Sequence, residues 1–177
     1  ILTEHNRSLG LPGKSYVQLP FAVATGESSS PVTDLSQLNT KRLAIPAGWS
    51  IIPIVRARYP LIEIIETEST LKALELVLAG EATAAIDNEV ILRYIARSYF
   101  LTGLQFHSNV SFGEGDLPDK LHIVVPADNP QLRNLIDRAI TAIGKDQLEY
   151  LSDKWLVPHE DTTATYSNVV PSDALIR

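Results

Sequence analysis

The chain of 177 residues contains no cysteine and no methionine. Without cysteine there is no disulfide, no thiol nucleophile and no thiolate metal site, and a cysteine-free chain suits periplasm and cytosol alike. The missing methionine has no physical explanation in the sequence. The four histidines, His5, His107, His122 and His159, stand far apart and show neither HxxxH nor HExxH spacing, so no metal site is expected. GxSxG, GxGxxG and P-loop motifs are all absent, and with them the usual signatures of nucleophilic catalysis and of dinucleotide or triphosphate binding. No cofactor is implied. Glu114 and Asp116 flank Gly115 without the ligand series of an EF-hand, which reads as a solvated turn rather than a calcium loop.

No apolar run approaches the ~18 residues that a membrane span requires. The 15 basic residues are scattered among 21 acidic ones, giving a net charge of −6 and a pI near 5.2. Nucleic-acid binders cluster their Lys and Arg, so that class is excluded. The chain begins with Ile1 and carries no signal peptide. We read it as a piece of a longer protein, which leaves targeting open.

What is present is an ordinary globular composition, 45% apolar and 20% charged, with mean hydropathy +0.04. That suffices for one good core or two modest lobes. Residues 1–15 are polar and turn-rich and read as a lead-in. "YVQLPFAVAT" (16–25) is strand-like with a kink at Pro20. Asp34 is a good N-cap for the short turn "LSQLN". A rhythm then follows. Strands at 42–46, 61–66, 83–87 and 104–108 alternate with helices at 50–59, 69–80 and 88–99. Leu71, Leu74, Val77 and Leu78 mark the buried face of the second helix, and Ile91, Tyr94 and Ile95 that of the third. Such alternation with short connections, and no Asn-Gly or Asp-Gly hairpin signal, predicts a small doubly wound α/β unit with a mostly parallel sheet over 40–110.

"KLHIVVPAD" (120–128) reads as a further strand, and Asn129-Pro130 as an N-cap followed by proline at the first helical position. Leu132, Leu135, Ile136, Ala139, Ile140 and Ile143 form a helical stripe that Gly144 ends. A last helix carries Leu148, Leu151, Trp155 and Leu156, with Trp155 expected in the core. These two helices need an apolar surface to cover, which implies a second body. Residues 157–177 read as a linker or tail.

Ligands of an open parallel sheet sit beyond the carboxyl ends of its strands, near helix N-termini. Two corners fit. At Ala47-Gly48-Trp49-Ser50 the glycine allows a close backbone approach, free amides point out of the first helical turn, and Ser50 adds a hydroxyl. The plain alternative is a turn with a serine N-cap, and Trp49 either stacks on a guest or plugs the turn. At Asp87-Asn88 a carboxylate at the strand end suits a ligand ammonium group, and the plain alternative is again an N-cap. Both corners lie on one sheet edge. An anion site beside a cation site suits a zwitterion such as an amino acid.

The ordered run "LPFAVAT…DLSQLNTKRLAIPAGWS…YPLIEIIETESTLKALELVLAGEATAAIDNE…KLHIVVPADNPQLRNLIDRAITAI…LSDKWL" resembles the bacterial extracellular solute-binding proteins of family 3, the type 2 periplasmic or Venus flytrap fold. The likeness covers about residues 16–156 and rests on the order of pieces that are individually unspecific. "NPQLRNLIDRAITAI" and the linker-like tail resemble the sensory flytraps of hybrid histidine kinases. The resemblance implies a second lobe over 22–120, hinge strands at 16–21 and 121–127, and helices over 128–156 that return to the first lobe. It also implies that the first half of that lobe, with the arginine that grips a ligand carboxylate, precedes Tyr16. It places the ligand-carboxylate corner at Gly48 and Ser50 and the amine-binding acid at Asp87; Trp49, Asn88 and Phe21 join them as candidate ligand-binding residues. Trp49 departs from the small hydroxyl residue common at its position, which implies a larger, an altered or an empty site.

The function so implied is non-enzymatic sensing of an amino acid or similar polar metabolite in the periplasm. The receptor would reach the membrane only through segments outside this chain and work as a homodimer. Three rival readings remain: the binding subunit of an amino-acid importer, a flytrap-fold enzyme or its regulatory domain, and the effector domain of a cytosolic transcription regulator.

Overall fold

The computed structural model describes residues 8–115 and 117–156. Its five-stranded sheet is built from β2 (Phe21–Gly26), β3 (Arg42–Pro46), β4 (Glu63–Thr67), β5 (Ala84–Asn88) and β6 (Leu104–His107), in the order β4-β3-β5-β2-β6. β3 runs parallel to β4 and β5, whereas β2 is antiparallel to both β5 and β6. The sheet is therefore mixed, with β2 alone reversed and set between β5 and β6. The alternating unit expected over 40–110 lacked this inner strand. Apolar periodicity identifies a buried strand without giving its direction or its neighbours.

Burial on both faces explains the apolar runs Phe21–Ala24 of β2 and Ala84–Ile86 of β5, and the polar residues that follow them, Thr25, Asp87 and Asn88, are buried as well. Side chains alternate across a strand, so Phe21 and Val23 enter one core while Ala22 and Ala24 enter the other. The first core joins Leu43, Ile45, Phe112 and helix α1 (Ile51–Arg58), which contributes Ile51, Ile52 and Val55. The second is lined by alanines of three strands, Ala24, Ala44 and Ala85, whose small side chains admit helices α2 (Thr70–Leu78) and α3 (Glu89–Ser98).

The helix faces differ in detail from expectation. In α2 Ala73 joins Leu74 and Val77 in the core while Leu78 is exposed. In α3 the buried pair is Leu92 and Ala96, and Tyr94 is 66% exposed. The alanine surface selects the narrow 92/96 row rather than the bulkier stripe beside it. A 3-10 turn at Leu35–Leu38 is capped as expected, with Asp34 and Gln37 closing a reciprocal capping box.

A separate two-stranded antiparallel ribbon pairs β1 (Leu11–Gln18) with β7 (Lys120–Val125). β1 starts inside the stretch read as lead-in. Gly10 introduces it because an added Cβ there would collide with the Val125 carbonyl oxygen. The strand-like run 16–25 is in fact two strands. Leu19-Pro20 breaks it, since proline offers no N–H to continue a ladder. Helix α4 (Pro130–Ile143) packs on β1, and α5 (Lys145–Leu156) touches both. Asn129 caps α4 by accepting from the Leu132 amide at 3.0 Å.

The predicted apolar stripe of α4 is present and only partly covered: Ile136 and Ile140 are half-buried, no residue of the helix is fully buried, and Leu135 is 62% exposed. The side chain of Trp155, residue Asp116 and the segments 1–7 and 157–177 lie outside the described residues. No described helix is long and apolar enough to cross a membrane.

Candidate functional site

Because β2 is reversed, its first residue meets the last residue of β5, at the same end of the sheet as the last residues of β3 and β4. Phe21 pairs with Asn88 and Ala22 with Asp87. All six residues singled out in the sequence gather there, on two adjoining corners.

The first corner leaves β3. The Ala47 amide donates to the Thr67 carbonyl at 2.8 Å, and Gly48 then turns the chain at φ 78°. Nothing lies within 4 Å of a Cβ built on Gly48. The glycine is needed for its left-handed backbone rather than for space. Trp49 is half-buried, and its ring meets Phe21 edge-on at 6.2 Å and 77°. Phe21 is itself 3% exposed, in the core beside Phe112. Ser50 does not cap α1. Its backbone is already helical (φ −64°, ψ −16°), whereas a capping side chain needs an extended residue to reach back. Its Oγ is buried without a hydrogen-bond partner, a state that costs about 1–3 kcal/mol unless a guest or water satisfies it.

The second corner leaves β5. Asp87 is 1% exposed, and its carboxylate accepts from the Thr70 hydroxyl and, at 2.6 Å, from the Asn88 amide. Burial pushes its pKa up to about 6 against the opposing pull of those two hydrogen bonds. Asn88, also 1% exposed, makes no side-chain cap to α3. Its Nδ2 donates to the Leu19 carbonyl at 2.6 Å, and its Oδ1 has no partner. The Glu89 amide donates to the Pro20 carbonyl at 2.8 Å. The Glu89 carboxylate accepts from Ser108 Oγ at 2.6 Å and from Arg93 Nε at 2.8 Å. Neither plain N-cap reading describes what Ser50 and Asn88 do.

Thr70, Ser108 and Glu89 belong to this edge and were not singled out in the sequence. A Ser-Thr pair opening a helix was the available signal for Thr70; only the tertiary fold brings it to Asp87. The two partnerless atoms, Ser50 Oγ and Asn88 Oδ1, give the edge one donor-acceptor and one acceptor. Open grooves of about 610 Å³, around Glu27 and Leu78, and about 740 Å³, between Lys14 and Arg138, lie away from this edge.

No family model matches the chain. Over 155 residues it is 21% identical to the virulence sensor protein BvgS of Bordetella pertussis, an alignment covering 87% of this chain and 12% of BvgS. The crystal structure of the BvgS periplasmic VFT2 domain superposes with a TM-score of 0.71 at 20% identity, over 87% of this chain and 64% of that one. The fold is a Venus flytrap. The flytrap chain is homologous to BvgS and to the sensor protein EvgS of Escherichia coli, to which it is 22% identical over 156 residues (88% of this chain, 12% of EvgS). It thus spans about an eighth of the length of these curated relatives. An ancestral arginine-binding protein bound to glutamine has the same fold, with a TM-score of 0.68 at 16% identity over 87% of this flytrap and 67% of that chain.

Proposed function

We propose that this flytrap is the sensory part of a periplasmic receptor, that it holds a small polar metabolite such as an amino acid, and that it catalyses nothing itself. The receptor as a whole would be a sensor histidine kinase, acting as a homodimer and reaching the membrane through other segments. The observation that carries this reading is the sheet edge itself. The turn after β3 and the end of β5 present Ser50 Oγ and Asn88 Oδ1, both buried without partners, on a fold shared with BvgS and an amino-acid-binding protein.

In this reading Ser50 offers its hydroxyl to the guest, the open face of Trp49 bounds it, and Phe21 holds Trp49 in place. Gly48 shapes the turn. Asp87 attracts an ammonium group from within the edge, where its carboxylate stays braced by Thr70, and Asn88 accepts a donor. A thermal-shift screen of the twenty L-amino acids and small carboxylates, on the chain extended upstream to include the whole first lobe, tests this. A stabilising compound whose effect falls at least tenfold in apparent affinity in Ser50→Ala and Asp87→Ala, about 1.4 kcal/mol, supports it. A screen without a single stabilising compound overturns it.

A further inference from the structure

The chain crosses between ribbon and sheet at Leu19-Pro20 and again between β6 and β7. The Leu19 amide ties the first crossing to the second by donating to the Asp119 carbonyl at 2.7 Å. Both carbonyls of the first crossing go to the β5–α3 corner, Leu19 to Asn88 Nδ2 and Pro20 to the Glu89 amide. Pro20 has no N–H, so no ladder can run through the crossing if those bonds are lost. Three successive residues therefore grip three different elements. Asp87 holds the N-terminus of α2 through Thr70, Asn88 holds the ribbon through Leu19, and Glu89 holds the end of β6 through Ser108.

We propose that Asn88 is a positioning residue whose side-chain amide clasps the Leu19 carbonyl and sets the angle of the β1–β7 ribbon to the five-stranded sheet. The other end of the same amide, Oδ1, is the acceptor assigned to the guest above. A guest bonded there favours one orientation of the Asn88 side chain and so one ribbon angle, which is the differential interaction that coupling requires. This last link rests on the proposed function, whereas the clasp stands on the hydrogen bonds alone.

The absence of cysteine lets spin labels be placed without background. Cysteines at the exposed positions Glu75 on α2 and Gln131 on α4 report the distance between sheet and ribbon by double electron–electron resonance. Without any compound, Asn88→Ala and the isosteric Asn88→Asp, which sets an acceptor against the Leu19 carbonyl, should widen or shift the distance distribution. Leu92→Ala, a core truncation, should lower the melting temperature and leave the distribution alone. An unchanged distribution in both Asn88 variants, or the same change in Leu92→Ala, overturns the clasp. A compound that stabilises the chain without changing the distance overturns the link to the guest. If no amino acid stabilises the chain, the functional reading fails while the comparison without compound still decides the clasp.

Discussion

The sheet and the ribbon are made from equally apolar segments, yet one is sealed and the other is open. β5 is buried from end to end between helices on both faces. The ribbon leaves Ile123 and Val124 exposed, and α4 above it buries nothing completely. Apolar surface stabilises a fold at ~25 cal/mol per Å² only when it leaves water. The difference teaches that periodicity reports which face of an element is apolar and not whether anything covers it. Among the described residues, the fully buried apolar clusters lie around the sheet, and the hydrogen bonds of Leu19 and Pro20 to Asn88 and Glu89 join the ribbon to it.

Matched truncations should break the symmetry most. Leu92→Ala, at a fully buried position, is expected to cost about 2–5 kcal/mol, and Leu135→Ala on α4 no more than about 0.5 kcal/mol. Urea unfolding of the two variants measures both, and equal losses would erase the distinction between the regions.

The next effect is electrostatic. The Asp87 pKa is raised in the folded chain to about 6, so the folded state binds a proton that the unfolded state has released. Its contribution is fully present below the unfolded pKa near 4 and is lost as pH rises through about 6. Relative to Asp87→Asn, the wild type should lose up to ~3 kcal/mol between pH 4 and 7, taking about two pKa units at 1.36 kcal/mol each. Parallel stability curves for the two proteins would mean that the carboxylate escapes its burial. The smallest effect belongs to the loop beside the sheet. Asp34→Ala, which removes the capping box, should cost ~1 kcal/mol in the same unfolding assay without disturbing the ribbon distance.

Much of the sheet region was readable in the sequence because its elements are short, strongly patterned and closely spaced. β3, α1, α4 and the caps at Asp34 and Asn129 stand where the pattern puts them. The reversal of β2 was not readable, since strand pairing joins residues as remote as Phe21 and Asn88. For the site, the two corners and their common edge were visible, but the roles within them were not. Ser50 looks like a cap and is not one, because its backbone angle is a tertiary outcome. Asp87 looks like an open strand-end carboxylate, and its bond to Thr70 depends on how α2 meets the sheet.

The reversed strand also has a consequence for how the chain is made. On a ribosome, β2 emerges before its ladder partners, which are Asn88 to Ala84 and, later still, His107 to Leu104. β1 waits longer, for a partner that begins at Lys120. Until then the apolar segment "FAVAT" has no sheet to join, and such unpaired strands are where nascent chains aggregate or recruit chaperones. The same long-range pairings make folding slow. The edge that gathers the candidate site is thus completed only after β6, when Ser108 reaches Glu89, and the ribbon with its clasp to Asn88 closes later still, after β7.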